Sequence, residues 1–311
     1  AEFSGEADFA YTEFIGKIAF NNFYFKEKAD FHHAKITGRF LFEEGTLGKN
    51  VEFVAVDIDK NAQVIFHKVN LEKISFLDTD LERITFRDVR WHLIGPRQGL
   101  WDEVRPLKNK PVRDYEKIAE NYRQLVLSYD RKRDFDTAED FHIGEMEMRR
   151  RKKAQRLEEK AAEAKGLKKL FWRCLAGCRA RLNGFEIYKV ASRYGTSYWQ
   201  ALLVLLGLIL FFSGIFMLSG LRPREGYGLP SINYELCFDW KCLAPSWNEW
   251  RDRLENYGRA FVHTLSILTF QRERPYIPAN TWTLFWVSVA VPLLVGQAAL
   301  VLLAIRRRFK R

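Results

Sequence analysis

Along residues 3–93, large apolar side chains recur on a step of five. Phe66, Leu71, Phe76, Leu81, Phe86 and Trp91 form the cleanest run, and two places before each stand Val64, Val69, Ile74, Thr79, Ile84 and Val89. The same pairing occurs earlier as Ala7/Phe9, Thr12/Phe14, Ala29/Phe31, Ala34/Ile36, Val51/Phe53 and Val56/Ile58, with phase slips near 18–20, 30 and 60–63. This step fits neither a helix, with a period of about 3.6, nor a strand, with a period of about 2.0. It fits a chain that turns a corner every five residues, sending one large and one smaller side chain inward on each face. About 20 residues then close a coil, and a strand spacing of roughly 4.8 Å makes the segment a short rod of four or five coils. Stacked coils need capped ends, and Trp91-His92-Leu93 with the Gly-Pro-Arg that follows is the expected cap.

The pattern then changes. Tyr115, Ile118, Tyr122, Leu125 and Tyr129 fall at three- and four-residue spacing, an amphipathic helix face. Asp130 to Asp134 reads as a turn, and Phe135, Ala138, Phe141, Met146 and Met148 continue into a second helix with Asp136 as N-cap. Two stretches further on, Tyr194–Leu221 and Pro275–Ile305, hold no charge at all. Each exceeds the roughly 20 apolar residues that cross a bilayer as a helix. The expected spans are about 198–220 and 283–305, with Tyr198, Trp199, Trp282 and Trp286 at the interfaces.

Composition sharpens this picture. The 311 residues include 47% hydrophobic positions, too many for a disordered chain, and four Cys, too few for a disulfide-dense secreted scaffold. Net charge is +11, but residues 1–144 carry −4, residues 145–193 carry +9, the loop 222–282 carries +1 and the tail Arg306–Arg311 carries +5. Basic excess flanking the spans places both termini on the cytoplasmic side, in a membrane expected to be the bacterial inner membrane. The cluster Arg149-Arg150-Arg151-Lys152-Lys153 is expected to meet anionic lipid rather than nucleic acid, since no base-reading fold accompanies it.

Ala7-Asp8-Phe9 and Ala29-Asp30-Phe31 resemble the core of the pentapeptide-repeat family. That resemblance implies a right-handed, quadrilateral β-helix over residues 1–95, here with Val and Ile in place of the usual Ala at the minor inward position over 64–89. The run from Tyr122 through Phe141-His142-Ile143-Gly144-Glu145 to Arg150 looks like a segment common in membrane-anchored members, which makes residues 96–170 a cytoplasmic helical connector and 171–311 a membrane domain. One family branch mimics DNA and protects topoisomerases; a net of −4 on a membrane-attached domain argues against that role.

Between the spans, Ala260 to Gln271 is an uncharged run too short to span, and it fits a re-entrant helix over 260–270. The order of span, short helix and span resembles the two-transmembrane ion-channel family and implies a ring of subunits. Thr264, Ser266, Thr269, Phe270, Gln271, Arg272 and Glu273 are then the pore helix and constriction. Potassium channels need a Gly-bearing filter; Thr269 is followed here by Phe270-Gln271-Arg272-Glu273-Arg274-Pro275, so potassium selectivity does not carry over. A ring of Arg272 would favour anions and one of Glu273 cations.

In the second span Pro292 and Gly296 predict a kink or gate, while Ser288 and Gln297 either line water or bond between helices. Cys237 and Cys242 are expected to pair if their side is oxidising. No phosphate-cradling Gly loop, GxSxG, HExxH or CxxC occurs, so neither enzyme nor cofactor is expected. The sequence thus predicts a homo-oligomeric pore-loop ion channel whose cytoplasmic repeat domain assembles the ring or senses a protein partner. The alternative is a membrane-anchored repeat scaffold without a pore.

Overall fold

The computed structural model describes residues 2–47, 51–106, 113–163, 184–225, 228–232, 247–271 and 273–309. It divides into two units, residues 1–185 and 186–311.

The first unit opens with a β-solenoid of about four turns, its short strands stacked in four parallel sheets. One stack runs Ala7–Asp8, Ala29–Asp30, Val51–Glu52, Ile74–Ser75. The coil is longer than the expected 20 residues. Lys17 pairs with Arg39, an advance of 22; Arg39 pairs with Gln63, an advance of 24. Only the last coil, where Val64 pairs with Ile84, advances by 20.

The reason lies in the large inward residues. From Phe9 to Phe42 they step alternately by five and six (Phe9, Phe14, Phe20, Phe25, Phe31, Ile36, Phe42), and Phe53 follows eleven residues on, so what look like phase slips are a regular eleven-residue unit. The backbone keeps the same count. Tyr11, Asn22, His33, Glu44 and Ala55 adopt positive φ at every eleventh position, then Lys68, Asp78 and Asp88 at every tenth. Each left-handed L-residue costs about 1–2 kcal/mol. Part of the compensation is visible: the amides of Tyr11, Asn22, His33, Glu44, Ala55 and Lys68 each donate to a carbonyl one coil on.

Inside, the rings form columns. Phe20, Phe42, Phe66 and Phe86 stack at centroid distances of 5.2, 4.8 and 5.8 Å. Such pairs contribute about 0.5–1.5 kcal/mol each beyond their burial. The Val and Ile minor positions Val64, Val69, Ile74 and Ile84 are buried beside them. Thr79, also inward, donates to the Phe53 carbonyl and accepts from the Val56 amide, so its hydroxyl is satisfied.

Two helices, α1 (Tyr115–Arg131) and α2 (Phe135–Glu163), close the final coil. Ile118, Tyr122, Leu125 and Tyr129 are buried, as the spacing predicts, and they join one continuous core with the solenoid. Residue 95 lies in the turn between two short antiparallel strands, His92–Ile94 and Arg97–Gly99, inside this one unit. The N-cap of α2 is corrected: Asp134, not Asp136, accepts from the Thr137 amide. The expected end cap is also only part of the answer. Trp91 is buried, but its Nε1 donates to Tyr129 Oη at 2.9 Å and its ring meets Phe141 edge-on. Asn121 Nδ2 donates to the Phe76 carbonyl, Gln124 Oε1 accepts from the Leu81 amide, and Lys132 Nζ donates to the Phe86 carbonyl. The helices thereby satisfy backbone groups that a last coil would otherwise leave open.

The second unit contains α3 (Gly184–Ser192), which begins two residues before it, α4 (Tyr198–Ser219), α5 (Trp247–Leu268) and α6 (Thr281–Phe309). Leu221–Pro223 pairs antiparallel with Tyr276–Pro278. Helices α4 and α6 are long and apolar enough to cross a membrane. The short helix expected over 260–270 is instead the last part of α5, whose earlier turns carry Arg251, Asp252, Arg253, Glu255 and Arg259. The charges there decorate one long amphipathic helix rather than a loop.

Candidate site in the second unit

Helix α5 packs on both apolar helices and joins their core through Ala260 and Ile267. Its polar residues do not share one environment. Thr264 is buried; its hydroxyl donates to the Ala260 carbonyl and lies 3.1 Å from that of Ser213 on α4. Ser266 is buried and donates to the His263 carbonyl at 2.7 Å. Both are turned into the chain. Thr269, Phe270, Gln271 and Glu273 are exposed. Phe270 adopts φ of 52° and ends the helix, with the Thr269, Phe270 and Gln271 amides donating to the carbonyls of Leu265, Ile267 and Ser266. Arg272, Cys237 and Cys242 lie outside the described residues.

The course of α5 is recorded by its contacts. Tyr257 Oη donates to the Leu210 carbonyl, Thr264 meets Ser213, and His263 lies edge-on to Phe216 at 5.3 Å. Successive turns of α5 approach the C-terminal end of α4. The chain then reaches Pro275, whose carbonyl accepts from the Arg224 amide just beyond that end. Thr283 Oγ1 ties the start of α6 to the Ser219 carbonyl at 2.7 Å.

On α6, Ser288, Pro292 and Gly296 are exposed and share one face with Ala299. The helix is continuous through Pro292. The Ser288 hydroxyl donates to its own helix at Leu284. Gln297 is different: it is buried, and its Nε2 donates to the carbonyls of Ala191 at 2.9 Å and Ala201 at 2.8 Å. The amide nitrogen thus bonds between helices, one of the two roles expected of it.

One group was overlooked inside the uncharged run. His263 is 1% exposed, and among the described residues neither ring nitrogen has a hydrogen-bond partner; nor does the hydroxyl of Tyr276, a residue 2% exposed. Both line a cavity of about 380 Å³ together with Arg224, Gln271, Arg274 and Val287. The signal was present in the sequence: His263 is the sole titratable residue between Ala260 and Gln271.

In the first unit, Asp30, His32 and Glu52 bring ligand atoms within 4.8 Å of one another. Lys28 Nζ already lies 2.7 Å from Asp30 and 3.6 Å from Glu52, so an ammonium supplies the positive charge there.

Compared with protein-family models, with characterised proteins and with solved structures, the chain finds no match.

Proposed function

We propose that the chain is a membrane-anchored pentapeptide-repeat protein, its solenoid right-handed and four-sided, whose second unit assembles into a homo-oligomeric ion channel lacking a potassium-type filter. What carries the reading is the exposed face of α6. Ser288, Pro292, Gly296 and Ala299 make a strip of small residues on a helix otherwise faced with Leu284, Phe285, Leu293, Leu302 and Leu303. Small residues let helices approach closely in lipid, and the hydroxyl at Ser288 offers water a partner. Three of the four residues expected to line the path fall on this face. The basic flanks put both termini in the cytoplasm, where the repeat unit would hold the ring together or bind a protein partner.

The second reading, a tether without a pore, is favoured by α5. A pore helix would carry its C-terminal end toward the bilayer middle, whereas α5 carries that end to the end of α4, and Thr264 and Ser266 are spent on contacts within the chain. Recording from protein reconstituted in lipid, with the mass of the purified particle, separates the two. A discrete ring with unitary currents that change in Ser288→Trp supports the channel. A folded protein that stays silent across voltage, tension and calcium leaves the tether.

A further inference from the structure

The cavity beside the Leu221–Pro223 and Tyr276–Pro278 pairing combines features that structural packing alone does not account for. Its polar lining consists of Arg224, His263, Gln271, Arg274 and Tyr276, with no carboxylate among the lining residues. Neither guanidinium forms an ion pair among the described residues. A buried polar group left without a partner is destabilising. Both nitrogens of His263 and the Tyr276 hydroxyl are in that position among the described residues, and both residues line this cavity.

We propose that this cavity binds a phosphate-class oxyanion, held by Arg224 and Arg274 and oriented by His263, Tyr276 and the Gln271 amide. Guanidinium forks match phosphate oxygens bidentately, and hydroxyl, amide and imidazole groups each offer an N–H or O–H to the remaining oxygens. At about 380 Å³ the space exceeds what a halide would fill and lies within the roughly 300–1,000 Å³ range of small-molecule sites. Ile277, Pro278 and Val287 add an apolar wall, suited to the organic part of a phosphate ester. Two sources share this chemistry: a free phosphate or phosphate monoester, and the phosphodiester of a lipid headgroup, since the cavity lies where both apolar helices end. The inference stands on this cavity and not on the channel reading.

The test uses the full chain in detergent. Inorganic phosphate is titrated by isothermal calorimetry, and phospholipid retained through delipidation is measured by phosphorus NMR. Binding of phosphate that weakens tenfold or more in Arg274→Gln and Arg224→Gln establishes a free-anion site. Retained phospholipid that is lost in both variants, without phosphate binding, establishes a headgroup site. His263→Phe guards against misfolding: filling the site with an apolar ring should leave the melting temperature unchanged or raised while abolishing binding. Folded wild-type protein that takes up neither ligand, or variants that bind as wild type does, would overturn the proposal. Because no current is read, a silent protein that binds phosphate sinks the channel and keeps the site.

Discussion

Removing the Glu103 carboxylate should cost the first unit about 3–5 kcal/mol, the usual result of stranding the partner of a buried ion pair. Glu103 is 1% exposed, and Arg97 Nη2 approaches its two oxygens at 2.8 and 2.6 Å. Tyr122 Oη donates to it at 2.7 Å, and Arg151 Nη2 stands 3.4 Å away. Burial beside this carboxylate pushes the Tyr122 phenol well above its ordinary range. In Glu103→Ala the Arg97 guanidinium, 6% exposed, keeps its charge and loses its partner. For a unit of this size each kcal/mol shifts the melting temperature by roughly 2–4 °C, so calorimetry on the full chain in detergent should show the first unit's transition fall by roughly 6–20 °C. The double variant Arg97→Met, Glu103→Leu removes both charges and should recover most of the loss, since apolar replacement of a buried pair is often neutral or better. A loss below about 1 kcal/mol in Glu103→Ala, or a double variant as unstable as the two singles added together, would refute the reasoning.

Three further outcomes follow from the same unit. Gly38→Ala should cost about 1–3 kcal/mol, read by denaturant titration, because an added Cβ would lie 1.9 Å from the Gly16 carbonyl oxygen and backbone cannot swing aside. Ala55→Pro should cost about 3 kcal/mol or more in the same titration, since φ is 51° there and the amide donates to Leu77; Ala55→Gly should change stability by no more than about 1 kcal/mol. Burial raises the Asp102 carboxyl above its ordinary range, against the bonds from Ser75 and the Phe76 amide that lower it. The folded state therefore takes up its proton at higher pH than the unfolded one, so this group's contribution grows as pH falls through the raised value toward the ordinary one near about 3.9, and is lost as pH rises again. Measured against Asp102→Asn, wild type should gain relative stability over that window.

What was legible in the sequence was whatever repeats locally. Phe66 through Trp91 announce inward positions because each belongs to a uniform ten-residue half-coil. The earlier coils hid the same logic because their half-coil is eleven residues, and three of the five corners that mark it, Tyr11, Glu44 and Ala55, are not the Gly, Asn, Asp or His that usually signal left-handed backbone. The face of α1 was readable from spacing, but its partner was not: Trp91 reaches Tyr129 and Phe76 reaches Asn121 across 38 and 45 residues. Asp134 and Asp136 both suit an N-cap, and only backbone geometry separates them. In the second unit Gln297 gave an even choice because its carbonyl partners, Ala191 and Ala201, lie 106 and 96 residues away. His263 was hidden by its neighbours, since a neutral ring among Phe, Val and Leu passes as part of an apolar run.

The two units differ in how completely they bury what they expose when unfolded, and the difference makes a last prediction. The solenoid and its helical cap enclose their own core. The apolar windows of α4 and α6 are only 33% and 28% buried among the described residues, and lipid or further copies of the chain are the covers that the proposed function supplies. The two exposed faces ask for different covers. On α4, Leu202, Leu203, Leu206, Leu210 and Phe211 are all large and apolar, as lipid-facing positions are. On α6 the strip Ser288, Pro292, Gly296, Ala299 is small and flat, as helix contacts in lipid are. Single cysteines at Ser288 and at Leu203, in protein whose native cysteines are replaced, should therefore behave oppositely under oxidation in membranes: Ser288→Cys links copies and Leu203→Cys does not. Linking at Leu203 alone would put α4 at the contact between copies and exclude an α6-centred ring, whatever currents the protein carries.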